Sequence, residues 1–283
     1  MKLSHLLLER KTLKHSALYM PYFTLGDPDF ESSLLIAKGM IDAGADILEL
    51  GIPFSDPTAD GPVIQKAMVR AMKHSDFSLE KIFETTQKIH SINPEIPLVY
   101  LTYFNPVYKY KNQKNRFVGE SFLLKCIEIG VKGLVIPDLP FDSYEFLEIY
   151  DNIKKHHLDI SIIPMIAPNT DIKRMKYILS YGSGFVYYIT SLGVTGLRDR
   201  LPENIKERAK LIRNYTNIPI FAGFGINKPE QAEELKSIFD GIIVGSLNHK
   251  IIEEFLNNEN YREQIKEKIY KTTKNFVDHL VLI

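Results

Sequence analysis

Apolar positions along this chain change period repeatedly. Short runs such as Ala17 to Thr24 (ALYMPYFT), Ile96 to Tyr103 (IPLVYLTY) and Gly241 to Val244 read as buried strands. Between them apolar residues return every three or four positions, as at Leu34, Ala37 and Ile41, which is the spacing of one helix face. The pattern predicts strands over Ala17 to Thr24, Ala45 to Leu50, Ile96 to Tyr103, Gly133 to Ile136, Ile160 to Ile166, Phe185 to Ile189, Ile218 to Ala222 and Gly241 to Val244. Helical spacing follows each strand, and a short helix over Ser4 to Lys14 leads the first. The punctuation agrees. Leu25-Gly26-Asp27-Pro28 is a turn signal, Gly44 and Gly130 stop helices, Ser78 is a helix cap, and Asn227 with Glu230 resembles a capping box. Repeated strand-helix alternation predicts an α/β protein whose parallel sheet is covered by helices. At this length the best fit is a single (β/α)8 TIM barrel over residues 1–283, with an extra N-terminal helix and extended βα loops. A doubly wound open sheet is the alternative. It would normally carry a Gly-rich turn after its first strand, where this chain has LGDPD.

Composition narrows the classes of function. Lys+Arg and Asp+Glu both number 35, so net charge makes no case for nucleic acid or an anionic membrane. Cys126 is the only cysteine, which excludes an internal disulfide and predicts a reducing, cytoplasmic setting. Its helical neighbours Phe122, Leu123 and Ile129 make it a core residue. Leu6-Leu7-Leu8 is too short for a signal-peptide core, and the sequence contains no apolar run of membrane length.

The chemistry concentrates in Leu48 to Gln65, LELGIPFSDPTADGPVIQ. Alternation sends Ile47 and Glu49 to one strand face and Leu48 and Leu50 to the other, so Glu49 shares an otherwise apolar face. Pro53, Pro57 and Pro62 stiffen the following loop and hold Asp60. Asp56 and Asp60, beside Gly or Pro, read more readily as turn or helix caps, whereas a strand offers Glu49 no capping role. Glu49 and Asp60 together make a candidate acid/base pair. In a barrel, phosphate sites commonly follow strands seven and eight, where Gly225 and Gly245-Ser246 fall, with Gly196 as a further donor; single glycines there also serve as turns. No predicted strand has a lysine in its core for Schiff-base chemistry, and all eight histidines lie on leading, trailing or helical segments. Strand-end groups are therefore Glu49, Asp60, Asp138 and the hydroxyls of Tyr22, Tyr103 and Tyr187. They suit proton transfer on a phosphorylated, partly apolar substrate.

The same block resembles the signature of the tryptophan synthase alpha subunit family. The resemblance extends in order through PYFTLGDP (Pro21 to Pro28), YFNP (Tyr103 to Pro106), PDLP (Pro137 to Pro140), APNT (Ala167 to Thr170), GVTG (Gly193 to Gly196), GFGI (Gly223 to Ile226) and VGS (Val244 to Ser246). It implies retro-aldol cleavage of indole-3-glycerol phosphate to indole and glyceraldehyde 3-phosphate, without metal or organic cofactor. It implies Glu49 as general acid/base and Asp60 as the carboxylate bonded to the indole N–H. It also implies Tyr187 beside Glu49, Thr195 in loop closure, and Gly196, Gly225, Gly245 and Ser246 around the phosphate. Tyr22, Ile64, Leu101, Val135 and Phe224 are then walls of the indole pocket. The family pairs with a beta subunit in an alpha2beta2 heterotetramer and passes indole through a tunnel, which Asp56 and Asn105 would face. Thr190 stands where the family usually has Ser, and Tyr22 where some members have Phe. The segment Lys109 to Gly119 is longer than the family pattern, close to the partner surface. The same chemistry without a partner, a catalytically silent barrel that only activates a partner, and a different phosphate-sugar isomerase are the competing readings; intact Glu49, Asp60 and GVTG weigh against the last two.

Overall fold

A computed structural model of the chain describes residues 2–281 except 112, 113, 115, 191–203 and 224. Its strands are β1 (Leu18–Thr24), β2 (Leu48–Gly51), β3 (Leu98–Leu101), β4 (Val131–Val135), β5 (Ser161–Ile162), β6 (Met165–Ile166), β7 (Val186–Ile189), β8 (Ile220–Gly223) and β9 (Gly241–Val244). All pair in parallel, in the order β5-β4-β3-β2-β1-β9-β8-β7-β6. The two ends of that order are consecutive in the chain. The fifth expected strand is therefore split, because Pro164 has no N–H to give the ladder. On one side the Ile163 N–H donates to the Leu134 carbonyl at 2.8 Å, and on the other the Pro164 carbonyl accepts from the Tyr187 N–H at 2.8 Å. One stretch of chain thus joins both sheet edges, and the barrel closes there.

Several strands are shorter than their apolar runs. Pro97 and Pro219 lack the donor that would start β3 and β8 earlier, and Tyr103 has already left the sheet to precede the Phe104–Lys109 helix. The leading helix runs Leu3–Lys14. At the Pro229–Leu235 helix the side chain that reaches back is Gln231, not Glu230: its Oε1 accepts from the N–H groups of Asn227 and Lys228 at 2.9 and 3.0 Å. Ser78 caps as expected, accepting from the Lys81 N–H.

Alternation along the strands builds two cores. Leu18, Met20, Val99, Phe185 and Phe221 fill the barrel interior, and Leu3 and Leu7 of the leading helix close its bottom. Tyr19, Leu48, Leu50, Tyr100 and Tyr188 point outward into a shell packed by helices, with Phe83, Phe122 and Phe276 among the buried side chains, and Cys126 lies in this shell. Charge fastens the leading helix: Lys11 pairs with Asp240 and Lys14 with Asp46, each at 2.5 Å. Among the described residues no helix is long and apolar enough to cross a membrane.

Candidate active site

Glu49 stands on β2 opposite Tyr22 of β1 and Val99 of β3. Its neighbours divide as alternation requires, with Ile47 in the interior core and Leu48 and Leu50 in the outer shell. The carboxyl is only 1% exposed, and its Oε1 has no hydrogen-bond partner. Burial, reinforced by the negative charge of Asp60, pushes its pKa up to about 8. At neutral pH Glu49 therefore holds a proton that it can give.

Asp60 is 3% exposed and accepts a 2.7 Å hydrogen bond on Oδ2 from the Tyr103 hydroxyl. The Tyr103 oxygen in turn accepts from the Ala59 N–H at 3.1 Å. Burial raises the Asp60 pKa to about 6 against the opposing effect of the Tyr103 bond. Asp60 is not the cap of the next helix, because the N-cap of the Pro62–Met72 helix is Gly61 and the Asp60 carboxylate is taken by Tyr103. The loop is held by its backbone instead: the Asp60 N–H donates to the Pro57 carbonyl, and Gln65 Nε2 donates to the Asp60 carbonyl at 2.8 Å.

A narrow cavity at the carboxyl ends of the strands is lined by Tyr22, Glu49, Asp60, Ile64, Leu101, Tyr187, Gly225, Ile226, Ile243, Gly245 and Ser246. Gly51, at the end of β2, has the Tyr22 hydroxyl packed where a side chain would stand, so a larger residue there would displace Tyr22. Gly225 takes the left-handed conformation at φ 85°. Gly245 precedes the Ser246–Phe255 helix, whose first N–H groups receive no side-chain cap. The Asn248 N–H is taken by the Gly245 carbonyl at 2.9 Å, and the positive end of the helix before it suits an anion. The cavity combines one proton donor, one fixed anion, an apolar wall and an anion-accepting end.

Most residues picked out from the sequence converge here, but not all. Val135 is buried in the interior core, in register with Leu101, without lining the cavity. Asp138 has a structural task, accepting the Phe104 N–H at 2.8 Å at the start of the Phe104–Lys109 helix. Asp56 and Asn105 are exposed. Thr195, Gly196 and Phe224 lie outside the described residues. Thr190 keeps the hydroxyl role, its Oγ1 donating to the Gly223 carbonyl at 2.9 Å. Sequence reasoning missed Ile226, Ile243 and, most of all, His249. Ile243 was legible, since it follows inward-facing Gly241 by two positions on β9. His249 was set aside as helical. The structure buries it at the end of β1, within hydrogen-bond reach of Thr24 and Asp27.

The family model described as tryptophan synthase alpha chain matches residues 8–280. The chain is 47% identical over 243 residues to the tryptophan synthase alpha chain of Leptospira borgpetersenii serovar Hardjo-bovis, covering 86% of this chain and 88% of that one. Against the alpha chain of Halalkalibacterium halodurans it is 39% identical over 264 residues, covering 93% and 94%. A crystal structure of the tryptophan synthase alpha chain from Legionella pneumophila superposes with a TM-score of 0.81 at 28% identity, covering 98% of both chains.

Proposed function

The chain belongs to the tryptophan synthase alpha chain family, lyases that cleave indole-3-glycerol phosphate to indole and glyceraldehyde 3-phosphate, and from that premise we propose that Glu49 and Asp60 carry the reaction. The observation that supports this reading is a pair of buried carboxylates facing one cavity, with their ionisations pushed to about 8 and about 6. Near neutrality Glu49 is the acid and Asp60 the anion.

Glu49 gives its proton to the indole carbon that bears the side chain. The ring becomes a cationic indolenine, and Asp60, facing the ring N–H, offsets the positive charge. Such a fixed anion in a dry site is a large source of transition-state stabilisation. Glu49, now a carboxylate, takes the proton of the hydroxyl on the adjoining side-chain carbon. The carbon–carbon bond breaks with its electron pair returning to the ring, and that hydroxyl becomes the aldehyde. Glu49 ends as it began, so proton and electrons balance. Tyr22, Ile64 and Leu101 wall the indole, Tyr187 stands beside the pair, and Val135 supports the wall from within the barrel. Gly225, Gly245 and Ser246 hold the phosphate at the start of the Ser246–Phe255 helix. To Thr195 and Gly196, and to Phe224, we assign loop closure and the rest of the indole wall on the family resemblance alone, since all three lie outside the described residues.

The indole is passed to a beta subunit in an alpha2beta2 assembly in the cytoplasm, with exposed Asp56 and Asn105 facing the partner. The test is indole release from indole-3-glycerol phosphate by the purified chain, alone and with added beta subunit. Slow release that rises strongly with the partner is the expected result. Fast release unaffected by saturating partner refutes the paired assembly, and no release under either condition refutes the substrate.

A further inference from the structure

His249 is a fully buried histidine that the chemistry above leaves unused. It lies in the first turn of the Ser246–Phe255 helix, with both ring nitrogens in contact with β1 and the turn after it. The Thr24 backbone N–H reaches Nε2 at 3.3 Å. A backbone N–H can only donate, so Nε2 is the bare nitrogen, and Nδ1 carries the hydrogen and donates to Asp27 Oδ2 at 3.0 Å. Asp27 is also fully buried, and Arg70 holds it with two bonds, Nε to Oδ1 at 2.7 Å and Nη2 to Oδ2 at 3.0 Å. Paired in this way Asp27 is ionised and accepts only, which fixes the tautomer of His249.

The rest of the chain of bonds follows from that tautomer. Thr24 Oγ1 lies 3.2 Å from the same Nε2. Two facing lone pairs would repel, so the threonine hydrogen turns toward the ring. Its oxygen is then the acceptor for the Tyr22 hydroxyl, 3.1 Å away. Hydrogens therefore point one way, from Tyr22 to Thr24 to His249 to Asp27, with Arg70 as the fixed charge at the end. Tyr22 is in register with Glu49 and lines the same cavity.

We propose that His249 is a positioning residue that acts through Thr24 on Tyr22: it commits the Tyr22 hydrogen to the protein, so that the Tyr22 oxygen faces the cavity as an acceptor for a hydroxyl of the substrate's three-carbon side chain. The inference rests on the substrate assigned above and makes Tyr22 a selector for a hydroxyl-bearing chain. A phenylalanine at position 22 has no oxygen and cannot make this choice.

A double-mutant cycle on indole release tests it. Tyr22→Phe removes the acceptor, His249→Leu removes both ring nitrogens and so breaks the relay, and Thr24→Val breaks it while leaving the Arg70–Asp27–His249 group intact, so the cycle survives if the histidine variant does not fold. Each single change is expected to lower kcat/KM about threefold to tenfold, the range of one hydrogen bond. In a Tyr22→Phe background neither of the other two changes lowers it further. Equal effects with and without the Tyr22 hydroxyl overturn the proposal, as does a folded Thr24→Val protein with wild-type kcat/KM. Independent effects in an enzyme that does release indole overturn this inference alone; a wild-type chain that releases none overturns the substrate and the inference with it.

Discussion

The two ends of the barrel bury carboxylates in opposite ways. At the bottom, Asp240 accepts from Lys11, Arg213 and the Ile220 N–H. Burial alone would raise its pKa, but the bonds from Arg213 and Lys11 outweigh burial and hold it below the ordinary value. At the mouth, Glu49 is buried beside another carboxylate and has one unpartnered oxygen. The first arrangement stabilises the fold, whereas the second gives up stability and keeps a carboxyl protonated, as the acid proposed for Glu49 requires. Residue type does not decide which, since both are carboxylates next to a strand of one sheet. The cations decide it: the leading helix and the Ile205–Arg213 helix bring Lys11 and Arg213 to the bottom, and no described lysine or arginine lines the cavity at the mouth.

The contrast breaks most visibly at Glu49. Glu49→Gln keeps the shape and removes the acid, so turnover is expected to fall by at least about a thousandfold, with the substrate still bound. A loss below tenfold in indole release would refute the assigned role. Asp60→Asn is expected to cost about 2–4 kcal/mol of transition-state stabilisation, roughly 30- to 1,000-fold in kcat. Single-turnover measurement with saturating substrate reads it directly.

The bottom answers in stability instead. Asp240→Asn is expected to cost about 2 kcal/mol, a modest figure for an ion pair because Lys11 and Arg213 are partly exposed. Thermal melting should drop by about 5 °C with kcat unchanged; a fall in kcat of the folded variant would show that the two ends are coupled.

Acidity gives the two ends opposite slopes. The lowered pKa of Asp240 means that its contribution to stability is full above the unfolded carboxylate value, about 4, and is lost as pH falls through the folded one. Glu49 has a raised pKa: the folded state keeps a proton that the unfolded chain has released, so its share of stability falls between about pH 4.5 and about pH 8. Glu49→Gln should therefore melt about 5 °C higher than wild type at pH 8 and gain much less near pH 4.5. An equal gain at both values would place the ionisation elsewhere. In kcat/KM the same groups should give a bell, its acid limb near pH 6 from Asp60 and its basic limb near pH 8 from Glu49. Asp60→Asn should remove the acid limb and leave the basic one.

Much of this was legible along the chain. The change of period from strand to helix carried the barrel, because each element's apolar face is written at its own spacing. Alternation alone turned Glu49 inward with Ile47, and the positions of Gly225 and Gly245 at strand ends placed both glycines on the cavity wall. What periodicity does not encode is where a strand's ladder stops or which helix side chain reaches another element. Hence the split at Pro164 and the shorter β3 and β8 appeared only in the structure.

The sequence by itself determined the barrel, the face of each strand and the presence of two carboxylates at one mouth, since these depend on neighbours within a few residues. The tertiary structure decided that Asp60 bonds to Tyr103 across 43 residues and that His249 is locked by a turn more than 220 residues away. It also decided that Glu49 holds its proton near neutrality. Each of these rests on burial and charge supplied by elements distant in the chain, and desolvation and Coulomb forces act through space.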